Sequence, residues 1–209
     1  MTEKQLQNLL KEFRVPAHIR AHMEKVAMLA RWLGSKLKKR GHKIDVIRLR
    51  QACLLHDLAK MCEITQFDAP LLATATYADV TVWKRLAKKY AKVGHVKAAS
   101  GIMGSIGEEK LAKIILKHRF DALIDPVPSK RPSTWEEKLL YYADKRVMHD
   151  KIVTLKVRLK DGNKRYIKKN KVPANNAGME KAVYTLENEI CLAAGIRPEQ
   201  LSETKIGRA

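Results

Sequence analysis

Apolar residues recur every three or four positions through most of the chain, and no window alternates apolar and polar residues between hairpin turns. An all-α fold is therefore expected. Pro16 fits the first turn of a helix that runs to about Lys39 and closes at Gly41, and a second helix should span roughly Asp45 to Met61. Further helices are expected over about Asp79 to Lys92, Val96 to Ile106 and Glu108 to Arg119, broken at Gly94 and Gly107. Between the second and third, Thr65 to Ala78 has no clear period and reads as a loop or broken helix of the kind that forms a lid. After Asp125-Pro126-Val127-Pro128, the capping-box spacing of Ser133-Thr134-Trp135-Glu136 opens a long helix through Asp150 and on toward Leu159, stopped by Asp161-Gly162-Asn163. Lys164 to Lys171 is basic and weakly patterned, Pro173 to Gly178 is loop-like, and Met179 to Ala194 returns to helix.

Several polar residues sit where this pattern demands apolar ones. His22 stands four, seven, eight and eleven residues before Val26, Leu29, Ala30 and Leu33, so it lies on the inward stripe of its helix. His95 has the same relation to Ala99, Ile102, Met103 and Ile106, and His118 follows Leu111, Ile114 and Ile115. His56 and Asp57 close the stripe of Val46, Leu49 and Cys53, while Asp144 lies between Leu140-Tyr141 and Val147-Met148. Four histidines and two carboxylates thus converge on one interior.

A lone histidine on such a stripe is more often a hydrogen-bonded core residue, but six inward polar residues together are not explained that way. Burying an unpaired carboxylate costs on the order of several kcal/mol, so two of them need a strong partner, and a divalent cation is the simplest. Imidazole and carboxylate without thiolate suit iron, manganese, zinc or cobalt better than a tetrahedral structural zinc. The other histidines act as controls. His149-Asp150 is a second His-Asp dipeptide on a mixed face with Lys145, Arg146 and Thr154, His18 sits in a first turn beside Pro16, and His42 lies between Gly41 and Lys43 in a loop. None is expected to bind metal.

Composition adds partners and compartment. The 209 residues suffice for one domain with an appendage, and the division expected is 1–155 for the catalytic unit and 156–209 for a basic segment and C-terminal helix packed on or beside it. No stretch is apolar enough for a membrane span, and Met1-Thr2-Glu3-Lys4-Gln5 lacks the apolar core of a signal peptide, so a soluble, cytoplasmic protein is expected. Cys53, Cys62 and Cys191 lack paired spacing and read as reduced, buried thiols. The net charge of +20 attracts polyanions. Much of it lies between Lys151 and Lys171, where Lys156, Arg158, Lys160, Lys164, Arg165, Lys168 and Lys169 face only Asp161, and this run is a candidate contact for nucleic acid.

The pattern His22, His56-Asp57, His95, His118, Asp144 resembles the HD superfamily of metal-dependent phosphohydrolases, and Leu55-His56-Asp57-Leu58-Ala59-Lys60 is similar to its signature segment. The resemblance covers roughly residues 15 to 150. It implies an HD-domain helical bundle in which His22, His56, Asp57 and Asp144 hold one metal, while His95 and His118 bind a second one bridged by Asp57. Such two-metal members include symmetrical diadenosine tetraphosphate hydrolases and cyclic-dinucleotide phosphodiesterases. This chain departs from the latter in having Arg119 rather than a second histidine after His118 and no Gly-Tyr-Pro motif, and from the former in having Arg119-Phe120-Asp121 in place of Thr-Thr-Gly.

The resemblance implies cleavage of a phosphoester or phosphoanhydride in a nucleotide-like substrate by a metal-activated water. Asp57 is the central catalytic carboxylate. Lys60, three and four residues beyond Asp57 and His56, is placed to neutralise phosphate charge. Lys97, Arg119, Lys145 and Arg146, each one or two residues from a proposed ligand, are further candidates for substrate binding. Two other readings compete: a di-iron HD-fold oxygenase, and a nucleic-acid-binding protein with a structural or degenerate metal site. Lys60 and the basic surface favour phosphate chemistry over the oxygenase.

Overall fold

Thr2 accepts the Gln5 amide and Gln5 returns a bond to the Thr2 amide, a capping box that opens α1 (Glu3–Glu12). Leu6, Leu9 and Leu10 follow on one face and are buried. The computed structural model describes residues 1–64, 66–168, 176–202 and 206, without the side chains of 165–168 and 176. Helix α1 is an addition to the expected set, although its signal lies in plain view in the first ten residues.

Helix α2 (Ala17–Lys39) starts directly after Pro16, and α3 (Val46–Leu55) is capped by Asp45, whose side chain accepts the Arg48 amide. The two pack closely because Gly34 has no side chain: a Cβ there would stand 3.2 Å from Leu49 and 3.3 Å from Ile44. Beyond them come α4 (Ala69–Thr74), α5 (Tyr77–Tyr90), α6 (His95–Ser105), α7 (Glu109–Leu116) and α8 (Trp135–Arg146). Helices α2, α3, α7 and α8 surround a core in which Leu29, Leu33, Leu49, Leu55, Ile115, Leu139 and Tyr141 are fully buried. This is the all-α bundle the periodicity called for. Among the described residues no helix is long and apolar enough to cross a membrane.

Several local expectations are corrected. Helix α3 ends at Leu55, and His56 to Ala59 turn into a 3-10 helix over Lys60–Glu63, so the second helix does not reach Met61. The capping box before α8 pairs Thr134 with Glu137, one residue later than Ser133 with Glu136, while Ser133 donates to the same Glu137 carboxylate. Asp68 caps a short α4 with Pro70 in its first turn, which gives part of the expected loop regular structure. Most consequential, the long helix breaks after Arg146.

There Val147–Met148 (β1) pairs antiparallel with Lys151–Ile152 (β2), with Val147 opposite Ile152. His149 makes the turn at φ 57, and Val147 and Ile152 are β-branched residues that fit an extended backbone. Two residues per strand are too few for alternation to show in a sequence. Thr154 then leads into α9 (Leu155–Lys168), which passes through Gly162 and Asn163, so one glycine did not stop it. The basic segment therefore does not continue the helix that carries Asp144.

Helix α10 (Asn176–Ala194) returns across the bundle, and Met179, Val183, Leu186 and Ile190 join the same core against α2 and α8. Arg146 binds it in place. That guanidinium is 2% exposed and donates to Glu187 and to Tyr142 at 2.7 Å each, to the Val153 carbonyl at 2.6 Å, and to the Leu201 carbonyl at 3.3 Å.

Candidate metal centre

His22 enters from α2, His56 and Asp57 from the turn after α3, His95 from the first residue of α6, His118 from just beyond α7, and Asp144 from α8. Their rings form a continuous series. His22 and His56 centroids are 5.5 Å apart, His56 and His118 4.9 Å, and His118 and His95 5.6 Å. All six expected residues are brought together.

The backbone decides which nitrogen of each ring faces inward. A carbonyl can only accept, so Nδ1 of His56 carries its proton toward Cys53 O at 2.7 Å, Nδ1 of His118 toward Ile115 O at 2.6 Å, and Nδ1 of His22 toward His149 O at 2.9 Å. Whenever such a ring is neutral, its lone pair is on Nε2. His56 Nε2 lies 3.8 Å from Asp57 and 3.7 Å from Asp144, His118 Nε2 lies 4.0 Å from Asp57, and both nitrogens are buried without a hydrogen-bond partner. Ligand atoms of His22, His56 and Asp144, and of His56, Asp57 and His118, lie within 4.8 Å of one another in each trio. Two orphaned basic nitrogens beside two carboxylates are a donor set that a divalent cation completes, so the residues fit the group.

Charge in the cluster is set by competing effects. Burial disfavours ionised Asp57, but Lys60 and the His56 and His95 imidazoles outweigh it and hold the carboxyl well below its usual range. Burial likewise opposes Asp144, and Lys145, His22 and His56 overcome it. For His118, burial and the adjacent imidazoles act together and push its pKa far down, so this ring stays neutral and available as a ligand.

Three charged side chains support the six. Glu63, which the sequence reading overlooked, accepts His95 Nδ1 at 2.7 Å and the His95 amide at 2.9 Å, leaving Nε2 aimed at Asp57, 3.1 Å away. Burial works against its ionisation, yet these bonds lower its carboxyl to about 2. Its position six residues after Asp57 gave no signal, because only the turn and 3-10 helix bring it back to α6. Lys60 has Nζ 3.6 Å from Asp57 and 3.2 Å from His95 Nε2, and Lys145 donates to Asp144 at 2.6 Å while covering the Tyr141 ring.

The remaining candidates lie elsewhere. Arg146 is committed to Glu187 in the core, and Arg119 binds Asp125 and sits 3.7 Å from Asp121. Lys97 is exposed on α6. In the basic run, Lys156, Lys160 and Lys164 are exposed on α9, Arg158 turns inward to Val147 O and Asp161, Arg165 and Lys168 have side chains outside the described residues, and Lys169 and Lys171 lie outside them altogether. His42 is half-buried against Trp135, His149 contributes a carbonyl, and the three cysteines are free and buried.

No curated protein and no solved structure matches the chain. The family model described as HD domain matches residues 19–148, more than half of its length, and the chain belongs to the HD-domain superfamily of metal-dependent phosphohydrolases.

Proposed function

We propose that the protein is a cytoplasmic phosphohydrolase that cleaves a phosphoester or phosphoanhydride of a nucleotide-like substrate with two divalent ions, drawn from iron, manganese, zinc or cobalt. His22, His56, Asp57 and Asp144 would hold one ion, and His95 and His118 with Asp57 the other. The observation that carries the reading is the pair of buried, unpartnered Nε2 atoms of His56 and His118 beside ionised Asp57. Two sites that share a central carboxylate account for the spread of four imidazoles better than one site does.

Bound ions in this position supply an acidified water and charge neutralisation for phosphoryl oxygens. The chain's own groups do the rest. Carbonyls of Cys53, Ile115 and His149 fix the imidazole tautomers, Glu63 orients His95, and Lys145 takes one oxygen of Asp144 so that the other faces His22 at 3.1 Å and His56. Lys60, a third exposed and already among the inward carboxylates, offers its ammonium to a phosphoryl oxygen. Chemistry belongs to residues 1–155 in this reading, and 156–209 form the packed basic extension. Metal analysis of protein purified without chelator, followed by a phosphate-release screen over nucleotide classes, tests it: about two equivalents of metal and release from at least one class are expected, and metal-loaded protein that releases none refutes it.

A second role rests on Lys156, Lys160 and Lys164, exposed at intervals of four along α9 and so on one helical face. This stripe suits a nucleic-acid backbone. Replacing the three with Gln should flatten the salt dependence of oligonucleotide binding by up to about three units of slope, and an unchanged slope removes the role.

A further inference from the structure

The inward imidazoles are not equally open. His56 Nε2 and His118 Nε2 have no hydrogen-bond partner, and each belongs to a trio whose ligand atoms lie within 4.8 Å of one another. Among the described residues, His95 belongs to neither trio. Its Nδ1 is 2.7 Å from Glu63, while its Nε2 is 3.1 Å from Asp57 Oδ1 and 3.2 Å from Lys60 Nζ. The ionised Glu63 carboxylate can only accept, so Nδ1 carries a proton toward it. A neutral ring then has its lone pair on Nε2, and of the two neighbours of that nitrogen only the ammonium donates. In the charged ring the same nitrogen gives its proton to Asp57. In both forms the lone pair of His95 is engaged, whereas those of His56 and His118 are free.

Local geometry and charge both hold Lys60 at this end of the cluster. Its amide donates to the Asp57 carbonyl at 2.9 Å in the turn that opens the 3-10 helix, which sets its side chain beside that of Asp57. Burial opposes its charge, and Asp57, Glu63 and Asp144 outweigh burial, so Nζ remains an ammonium. It lies 3.6 Å from Asp57 Oδ1, the same oxygen that His95 approaches. The side chain is nevertheless 35% exposed, so it can swing toward solvent without disturbing the core. Lys145 has no such freedom: its side chain is 9% exposed, bound to Asp144 and laid over Tyr141.

We propose that Lys60 is a built-in competitor for the second divalent ion, its ammonium holding the His95–Asp57 end of the cluster until that ion displaces it outward. The proposal rests on the two-ion hydrolase reading above and adds the order in which the site is assembled. The first ion goes to the side of His22, His56 and Asp144, where the His56 nitrogen is open. The second has to take the His95 lone pair from Lys60 and bring its charge beside an ammonium, so it binds more weakly. Once turned toward solvent, the ammonium that gave up His95 is the one presented to a phosphoryl oxygen. The second ion and a phosphate therefore strengthen each other's binding through one lysine.

The test titrates the chelator-stripped full chain and its Lys60→Met variant with cobalt(II) by calorimetry, while amine labelling of Lys60 in the wild type is followed by mass spectrometry at each equivalent. In the wild type the second equivalent should bind about tenfold or more weakly than the first, and Lys60 labelling should rise by about threefold or more only as that second equivalent enters. Lys60→Met should narrow the gap between the two steps by about tenfold or more. Equal affinity of the two steps in the wild type overturns the proposal, as does labelling that stays flat through both. So does a variant in which both steps tighten by the same factor, since that is a plain charge effect. The labelling arm needs no variant, so it decides the matter even if Lys60→Met does not fold. One equivalent in wild type and variant alike removes the two-ion reading together with the proposal. Two ordered equivalents in a protein that releases phosphate from no nucleotide keep the proposal and remove the hydrolase.

Discussion

Chelator-stripped protein should gain stability on adding a divalent metal, and the size of the gain follows from the two orphaned imidazoles. A buried polar group left unsatisfied costs about 1–3 kcal/mol, so His56 and His118 together hold about 2–6 kcal/mol that coordination can recover. At free metal one hundred times its Kd, binding to the folded state alone stabilises by about 2.7 kcal/mol. For a chain of this size each kcal/mol moves Tm by about 2–4 °C, so a rise of about 5–11 °C is expected. Differential scanning calorimetry with manganese, zinc, iron(II) or cobalt added stepwise measures it. The decisive variant is His118→Leu. Its removal of a buried unpartnered nitrogen offsets the lost bond to Ile115 O, so the stripped variant should melt within a few degrees of stripped wild type, yet lose most of the metal-induced rise. An ordinary core histidine would behave the opposite way, with His118→Leu destabilising the stripped protein and leaving the metal response intact. That outcome, or no rise with any of the four metals, refutes the reasoning.

Glu63→Ala should weaken metal affinity by about ten- to a hundredfold through loss of the carboxylate that orients His95, as measured by competition with a chromophoric chelator; unchanged affinity would mean that His95 is held by other contacts or does not bind metal. Glu187→Ala leaves the Arg146 guanidinium charged and buried and should cost about 3–5 kcal/mol in urea denaturation, with a loss under about 1 kcal/mol showing that α10 is only loosely seated. Asp57→Ala should lose metal and turnover together, whereas His149→Ala, which keeps the carbonyl that His22 uses, should retain its metal by elemental analysis.

What the sequence determined by itself was the set of inward faces. Helix periodicity depends on local spacing, so the stripes of Val26-Leu29-Leu33 and Leu111-Ile114-Ile115 placed His22 and His118 in the interior without any knowledge of how the helices pack. The same spacing named all six residues that the fold gathers. It could not name Glu63 or the role of Arg146, because both depend on partners far along the chain, His95 in one case and Glu187 in the other. Tertiary structure also decided the hairpin at His149. Strands of two residues carry no period, and a helix former such as Lys145-Arg146 gives no warning that Val147 will turn extended. That break matters most for function, since it moves the basic segment off the helix that bears Asp144 and puts a backbone carbonyl against His22. Local propensity fixes which residues face inward, while the break in the chain and the charges that meet across it are settled only by long-range packing.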